Sequence, residues 1–255
     1  MFVPFVQQTQ TAVWPSDSVA ILPLAAVEAH GPHLPLGTDG FIAEAILDHA
    51  AQRDGGTASF VRLPLLWLGA SAEHSDRAGT LSQEPERLIA QIVDIGAGLA
   101  RCGLRRVILF NGHGGNIAAG SIAALKLRTQ FNMLAASAHW LDFGVPETIT
   151  PPTPVVNDVH GGWVETSVLL HLAPHLVVMD KAAARPAEPP AKSLFPTGPI
   201  TWGWKLDDLS AESMGGWIGA PNLATAELGK ALIDHAAEKL LQTLREIAAA
   251  PWSVK

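Results

Sequence analysis

The chain has 255 residues, 48% of them hydrophobic and 16% charged, with 17 basic residues against 24 acidic ones and a formal net charge of −7. That apolar content is ample for a buried core and excludes a disordered chain. The acidic balance, with no lysine or arginine cluster, excludes the electrostatic footprint of a nucleic-acid or anionic-membrane binder. The charged fraction falls below the roughly 25% usual in soluble domains, which a homo-oligomer burying part of its surface would explain.

A single cysteine, Cys102, removes both a disulfide framework and a thiolate zinc site, and fits a reducing cytoplasm. Residues 1–16 carry no charge, and Pro4, Gln7, Gln8 and Gln10 interrupt any apolar stretch, so no secretory leader is read there. The uncharged stretch 107–125 contains Asn111, His113, Asn116 and several glycines, too polar in its middle for a membrane span. Ten histidines and no tyrosine direct attention to proton transfer and metal ligation.

In chain order, short apolar runs alternate with longer segments of helical period, the pattern of a βα succession. Val19 to Leu24 predicts a buried strand. After a loop rich in Gly, Pro and His, Asp39 stands as an N-cap before a helix with Phe41, Ile42, Ala45, Ile46 and His49 on one face. Val61 to Leu68 predicts a second strand, placed at an edge or ended early by Pro64. Glu84 to Arg101 predicts a helix stopped by Gly103. Arg106 to Phe110 is the clearest strand and runs into Asn111-Gly-His113-Gly-Gly115-Asn116. Met133 to Trp140 predicts a strand, Trp163 to Leu172 a short helix and Leu223 to Ala250 a long one. Residues 180–219 show no sustained period; Phe195, Trp202, Trp204 and Trp217 there need burial, so the segment reads as an excursion from the core. With no repeat or low-complexity tract, residues 1–255 are expected to form one domain.

Three loops offer metal ligands. Glu28 and His30, two apart at a strand exit, point the same way in an extended chain, and Gly37 lets the chain return Asp39 beside them. His113 sits in the glycine turn, and Glu165 lies one turn into the helix after His160. Taken singly, each has a plain structural explanation: Asp39 as an N-cap, Asn111 to Gly115 as a tight turn. Loops at the carboxyl ends of parallel strands meet, however, so Glu28, His30, Asp39, His113 and Glu165 can converge. Three carboxylates and two imidazoles suit two divalent ions sharing one carboxylate, which at about 3.5–4 Å can hold a hydroxide and polarise a carbonyl.

These stretches also carry a family resemblance. Glu28-x-His30-Gly-Pro-His33-Leu-Pro-Leu-Gly-Thr-Asp39, Asn111-Gly-His113-Gly-Gly-Asn116 and His160-Gly-Gly-x-x-Glu165-Thr-Ser resemble the creatininase family. So do Gly69-Ala-Ser-Ala-Glu73-His74 with Gly79-Thr80, and Gly219-Ala-Pro-Asn-Leu-Ala-Thr225-Ala-Glu227. The resemblance implies a three-layer α/β/α domain with a parallel-rich central sheet, two divalent ions (zinc, manganese or iron), hydrolysis of an amide-type C–N bond in a creatinine-like cyclic amide or related small amide, and assembly as a homohexamer. It implies that Glu28, Asp39 and His113 hold one ion, that His30 and Asp39 hold the other, and that Asp39 bridges. Creatininase completes the second site with a glutamate where this chain has Gly115; branches with the same turn imply Glu165 instead. His160 matches the proton-transfer histidine, suited by a free pKa of about 6.5. His33 is expected to orient a ligand, Glu73 and His74 to border the site or a subunit interface, and Trp163 to wall the pocket.

The departures bear on substrate. Val156 stands where creatininase has a tryptophan, four residues before the proton-transfer histidine, which removes an aromatic wall for a flat cyclic amide. Formamide hydrolysis and a mycofactocin-type peptidase activity are the alternatives within the family, and residues 180–219 are expected to set the substrate. A catalytically silent binding or assembly protein is the reading from another class, prompted by Gly115. A serine hydrolase is excluded, because no Gly-x-Ser-x-Gly elbow occurs.

Overall fold

The computed structural model describes residues 2–56, 59–196, 200–209 and 215–252. Among these residues, five strands, β1 (Val3–Pro4), β2 (Val19–Leu24), β3 (Phe60–Arg62), β4 (Arg106–Asn111) and β5 (Leu134–His139), form one sheet in the order β1-β3-β2-β4-β5. Every pairing is parallel. The two central strands, β2 and β4, pair over their whole length from Val19↔Arg106 to Leu24↔Asn111 and are buried throughout. Continuous apolar runs such as VAILPL are what a strand covered on both faces requires.

Among the described residues, five α-helices cover the sheet: α1 (Thr38–Arg53), α2 (Pro85–Arg101), α3 (Ile117–Phe131), α4 (Trp163–Leu172) and α5 (Ala226–Ala249). Alternate side chains of β2 separate the layers. Val19 and Ile21 pack with Ile42 and Ile46 of α1, Val168 of α4 and Ile233 of α5. Ala20, Leu22 and Leu24 face the other way, onto Leu88 and Ile92 of α2 and Ala123 and Leu127 of α3. The fold is therefore three-layer α/β/α about a parallel sheet.

Local chemistry explains the element ends. Pro85 opens α2, and Gly103 follows its end at φ +83°, a left-handed conformation that glycine adopts without strain. Thr225 caps α5 by accepting from the Leu228 N–H. Gly229 lets α5 approach α4 closely, for a Cβ there would overlap the Ser167 carbonyl. At the end of the sheet remote from the strand exits, buried Arg106 donates to the carbonyls of Ser16, Ile247 and Ala250.

Three expectations are adjusted. The strand read over Val61 to Leu68 ends early, as Pro64 implied, and is only Phe60–Arg62; β1 rather than β3 occupies the edge. Asp39 is not the N-cap of α1: Gly37 holds that place and Asp39 lies in the first turn, its side chain turned to His30 and His113. Within 180–219, described in part, Trp217 is buried while Phe195, Trp202 and Trp204 are half-buried; residues 197–199 and 210–214 lie outside the described residues.

Candidate metal centre

Three strand exits and the start of α4 build the site. Beyond β2, the chain is braced by hydrogen bonds from Ala25 N–H to the Leu66 carbonyl and from Glu28 N–H to the Leu36 carbonyl. Glu28 and His30 are thereby fixed at zero exposure. Asp39, on the first turn of α1, meets them. Gly112, after β4, packs against the Asp39 carbonyl so closely that a Cβ would overlap it. Asn111 and Asn116 then brace three segments at once. Asn116 donates to the carbonyl of Ala25 and to Asn111 Oδ1, and accepts from Ala70 N–H, while Asn111 Oδ1 accepts from His113 N–H.

Each imidazole is oriented by a backbone carbonyl. His30 Nδ1 donates to the Glu28 carbonyl (3.1 Å), leaving Nε2 toward Asp39 Oδ1 (3.1 Å), Glu165 Oε1 (3.8 Å) and Glu28 Oε1 (3.8 Å). His113 Nε2 donates to the Ala70 carbonyl (3.0 Å), leaving Nδ1 toward Glu28 Oε1 (3.2 Å) and Asp39 Oδ2 (3.3 Å). A ring whose far nitrogen is committed to a carbonyl presents the other as a lone pair, the arrangement found around ligating histidines. His160 Nε2 donates to the Ala29 carbonyl (2.8 Å), and its Nδ1 lies 3.7 Å from Glu28 Oε1. Its ring lies between those of His30 and His74, with centroids 4.2 and 4.1 Å away.

The donor set suits divalent ions. Glu28–Asp39–His113 and His30–Asp39–Glu165 each gather one ligand atom per residue within 4.8 Å of one another, and so does Glu28–His30–His160. Ligand bonds of about 2.0–2.2 Å place neighbouring donors about 3–3.5 Å apart, which the closest separations here match. Neither Glu28 oxygen nor Asp39 Oδ2 accepts a hydrogen bond, although all three are buried. Buried carboxylate oxygens in that condition need positive charge beside them, which the protonated imidazoles or a bound divalent ion would supply.

Electrostatics point the same way. Burial works against the charged form of Glu28, but His113, His74 and His160 hold its carboxyl well below the usual range. Burial likewise opposes a proton on His30, yet Asp39 and Glu165 raise its pKa to about 10; His113 is raised too, against burial, by Glu28 and Asp39. Metal uptake at these two imidazoles therefore displaces protons. His160 and His74 are lowered, by burial and then by neighbouring imidazoles.

All five proposed ligands thus converge, and Glu73, His74, His113, His139, His160 and Glu165 border one cavity of about 100 Å³ with Leu141, Val159 and Trp204. His33 is placed behind it, its Nε2 donating to the Gly161 carbonyl (2.8 Å). Trp163 departs from expectation. It lies at zero exposure in the apolar core of α1, α4 and α5, away from the cavity lining, because the first turn of α4 turns Glu165 to the cavity and Trp163 inward. Asp158, absent from the candidate ligands, holds the start of α4 by accepting from Trp163 and Val164 N–H (both 2.8 Å) and Ala220 N–H (3.3 Å). Its signal in the sequence was an aspartate five residues ahead of a helix across two glycines.

The family profile Creatininase, described as creatinine amidohydrolase, matches residues 6–244. A mycofactocin precursor peptide peptidase from Mycobacterium ulcerans is 35% identical over 224 residues, 86% of this chain and 80% of that protein. The creatinine amidohydrolase of Pseudomonas putida is 28% identical, covering 94% of each. The crystal structure of a creatininase superposes with TM-score 0.73 at 26% identity over 92% of each chain. Solved creatininases of this fold include a manganese form and a Zn–Zn form. Fold, donor set and relatives together define an enzyme, a hydrolase acting on amide-type C–N bonds. The chain belongs to the creatininase family.

Proposed function

We propose that the chain is a single-domain, two-metal amidohydrolase whose substrate is a peptide or other small linear amide. The observation that carries this reading is the division of Asp39 between the two triads, with Oδ1 facing His30 Nε2 at 3.1 Å and Oδ2 facing His113 Nδ1 at 3.3 Å. Glu28, Asp39 and His113 would hold one divalent ion, and His30, Asp39 and Glu165 the other; imidazole with carboxylate suits zinc, manganese or iron. Such a pair, when bound, supplies Lewis-acid polarisation of the substrate carbonyl and acidifies water.

The protein's own groups do the rest. His160, with Nε2 held on the Ala29 carbonyl and a lowered pKa, keeps Nδ1 free to accept a proton and pass it to the leaving nitrogen, which otherwise departs as a poor anionic leaving group. The flanking rings of His30 and His74 hold it in plane. His33 fixes Gly161, the hinge between His160 and Glu165. Leu141, Val159 and Trp204 give the cavity an apolar wall.

A linear amide is favoured over a creatinine-like ring by the 35% identity to a peptidase against 28% to creatinine amidohydrolase, and by Val156 at the position of the missing aromatic. A homo-oligomer, a hexamer by resemblance, acting in the cytoplasm completes the reading. The exposed Phe41 and Trp67, with ring centroids 6.1 Å apart, are in keeping with subunit contacts, and no described helix is long and apolar enough to cross a membrane.

Elemental analysis of zinc- and manganese-loaded protein, run beside hydrolysis of short peptides, formamides and creatinine, tests the proposal. About two ions per chain are expected, falling to about one in E165Q, with hydrolysis lost in H113A. Absence of tight metal, an unchanged metal count in E165Q, or full activity in H113A would overturn it.

A further inference from the structure

Four carboxylates border the cavity, and one of them belongs to neither triad that shares Asp39. Glu28, Asp39 and Glu165 fall within those triads; Glu73 does not. Its side chain is nonetheless drawn inward, 16% exposed, with Oε1 3.5 Å from His113 Nε2. A Cβ on Gly115 would overlap that same Oε1, so the bare backbone at 115 is what gives Glu73 its place. A Cβ on neighbouring Gly114 would meet nothing within 4 Å, so the adjoining space is open.

Among the described residues, His113 is the sole ion-pair contact of Glu73, and no lysine or arginine reaches it. That contact does not survive as a charge pair in a metal-loaded site. His113 Nε2 already donates to the Ala70 carbonyl, and an imidazole ligating through Nδ1 is neutral. Of the four charges on two divalent ions, Glu28, Asp39 and Glu165 would offset three directly, and Glu73, outside both triads, would be left with no cationic hydrogen-bond donor of its own. A largely buried carboxylate facing an open cavity calls for a positively charged donor, and the substrate is the component able to bring one.

We propose that Glu73 receives a protonated amine of the substrate, so that the preferred substrates are amides and peptides with a free ammonium group within a few bonds of the scissile carbonyl. The inference rests on the metal-centre reading above. Zinc-loaded protein titrated calorimetrically with leucine hydroxamate and with N-acetyl-leucine hydroxamate tests it, since both probes bind metal and only the first carries the amine. The free-amine probe should bind about tenfold or more tightly, as one charge-assisted hydrogen bond provides. That preference should collapse to about parity in E73Q and be partly retained in E73D. Equal affinities in the parent protein, or a preference that persists in E73Q, would overturn the assignment, as would loss of zinc from E73Q, which would make Glu73 a ligand. If neither probe binds the zinc-loaded parent, the metal-centre reading itself fails and carries this inference with it.

Discussion

The Asp158 carboxylate occupies the space that a side chain at Gly162 would need: a Cβ built there would overlap both carboxylate oxygens and their carbon. Burial pushes this carboxyl up to about 6 against three backbone N–H donors, so it sits at the balance between desolvation and hydrogen bonding. Replacing it with alanine strands the Trp163 and Val164 N–H groups at the start of α4, each at about 1–3 kcal/mol. For a chain of this length about 2–4 °C of Tm is lost per kcal/mol. D158A should therefore melt several degrees lower by calorimetry and, on the proposed ligand set, bind the ion assigned to Glu165 more weakly. Parent-like melting and metal affinity would refute this anchoring role.

His160 has two readings in the geometry, as proton carrier and as a ligand grouped with Glu28 and His30. The first predicts that H160N keeps its metal while losing about 10²–10⁴-fold in kcat. Activity assays paired with elemental analysis on one preparation separate the two, because a ligand role would lower the metal count together with the rate.

Chelation should destabilise the fold as well as silence it. Ions that bind only the native state add about 4 kcal/mol at a thousandfold excess over Kd. Treatment with EDTA is expected to lower Tm by roughly 10 °C on the same scale, with recovery on adding zinc. A Tm indifferent to chelator would mean that the buried carboxylates are compensated in some other way.

A pH dependence follows at a remote ion-pair cluster between α1 and α5. Burial pushes the Asp234 carboxyl up, but hydrogen bonds from Lys230, His49 and Arg53 outweigh it and hold the pKa at about 2. A depressed carboxyl stabilises the fold above its unfolded pKa of about 3.9 and loses that contribution as pH falls toward the folded value. The pairs are partly exposed, so D234N should cost only about 0.2–1 kcal/mol near pH 7. Urea unfolding at several pH values should show that deficit shrinking between about pH 4 and 2; a deficit constant with pH would contradict it.

The sequence made much of this architecture readable because its elements are locally consistent. Runs such as Val19 to Leu24 and Arg106 to Phe110 admit no competing period, and α4 begins and ends where expected. Relationships made only by tertiary packing were not readable. Asp39 looks like an N-cap because cap and first-turn positions favour the same residue types, and only the meeting of α1 with the β2 and β4 exits reveals its other task. Trp163 follows His160 closely in the chain, yet helical geometry turns it into the core. Glu73 acquires its place from Gly115, 42 positions away, a dependence no local pattern carries.

The contact of Gly229 with Ser167 reaches further than packing. The backbone of α5 rests directly on that of α4, so the thickness of one absent side chain sets how deep Glu165 sits relative to Asp39. The spacing of the two triads is thus adjustable from a helix that supplies no ligand. A methyl group at position 229 would act as a shim beneath α4, shifting Glu165 while leaving Glu28, Asp39 and His113 on their own supports.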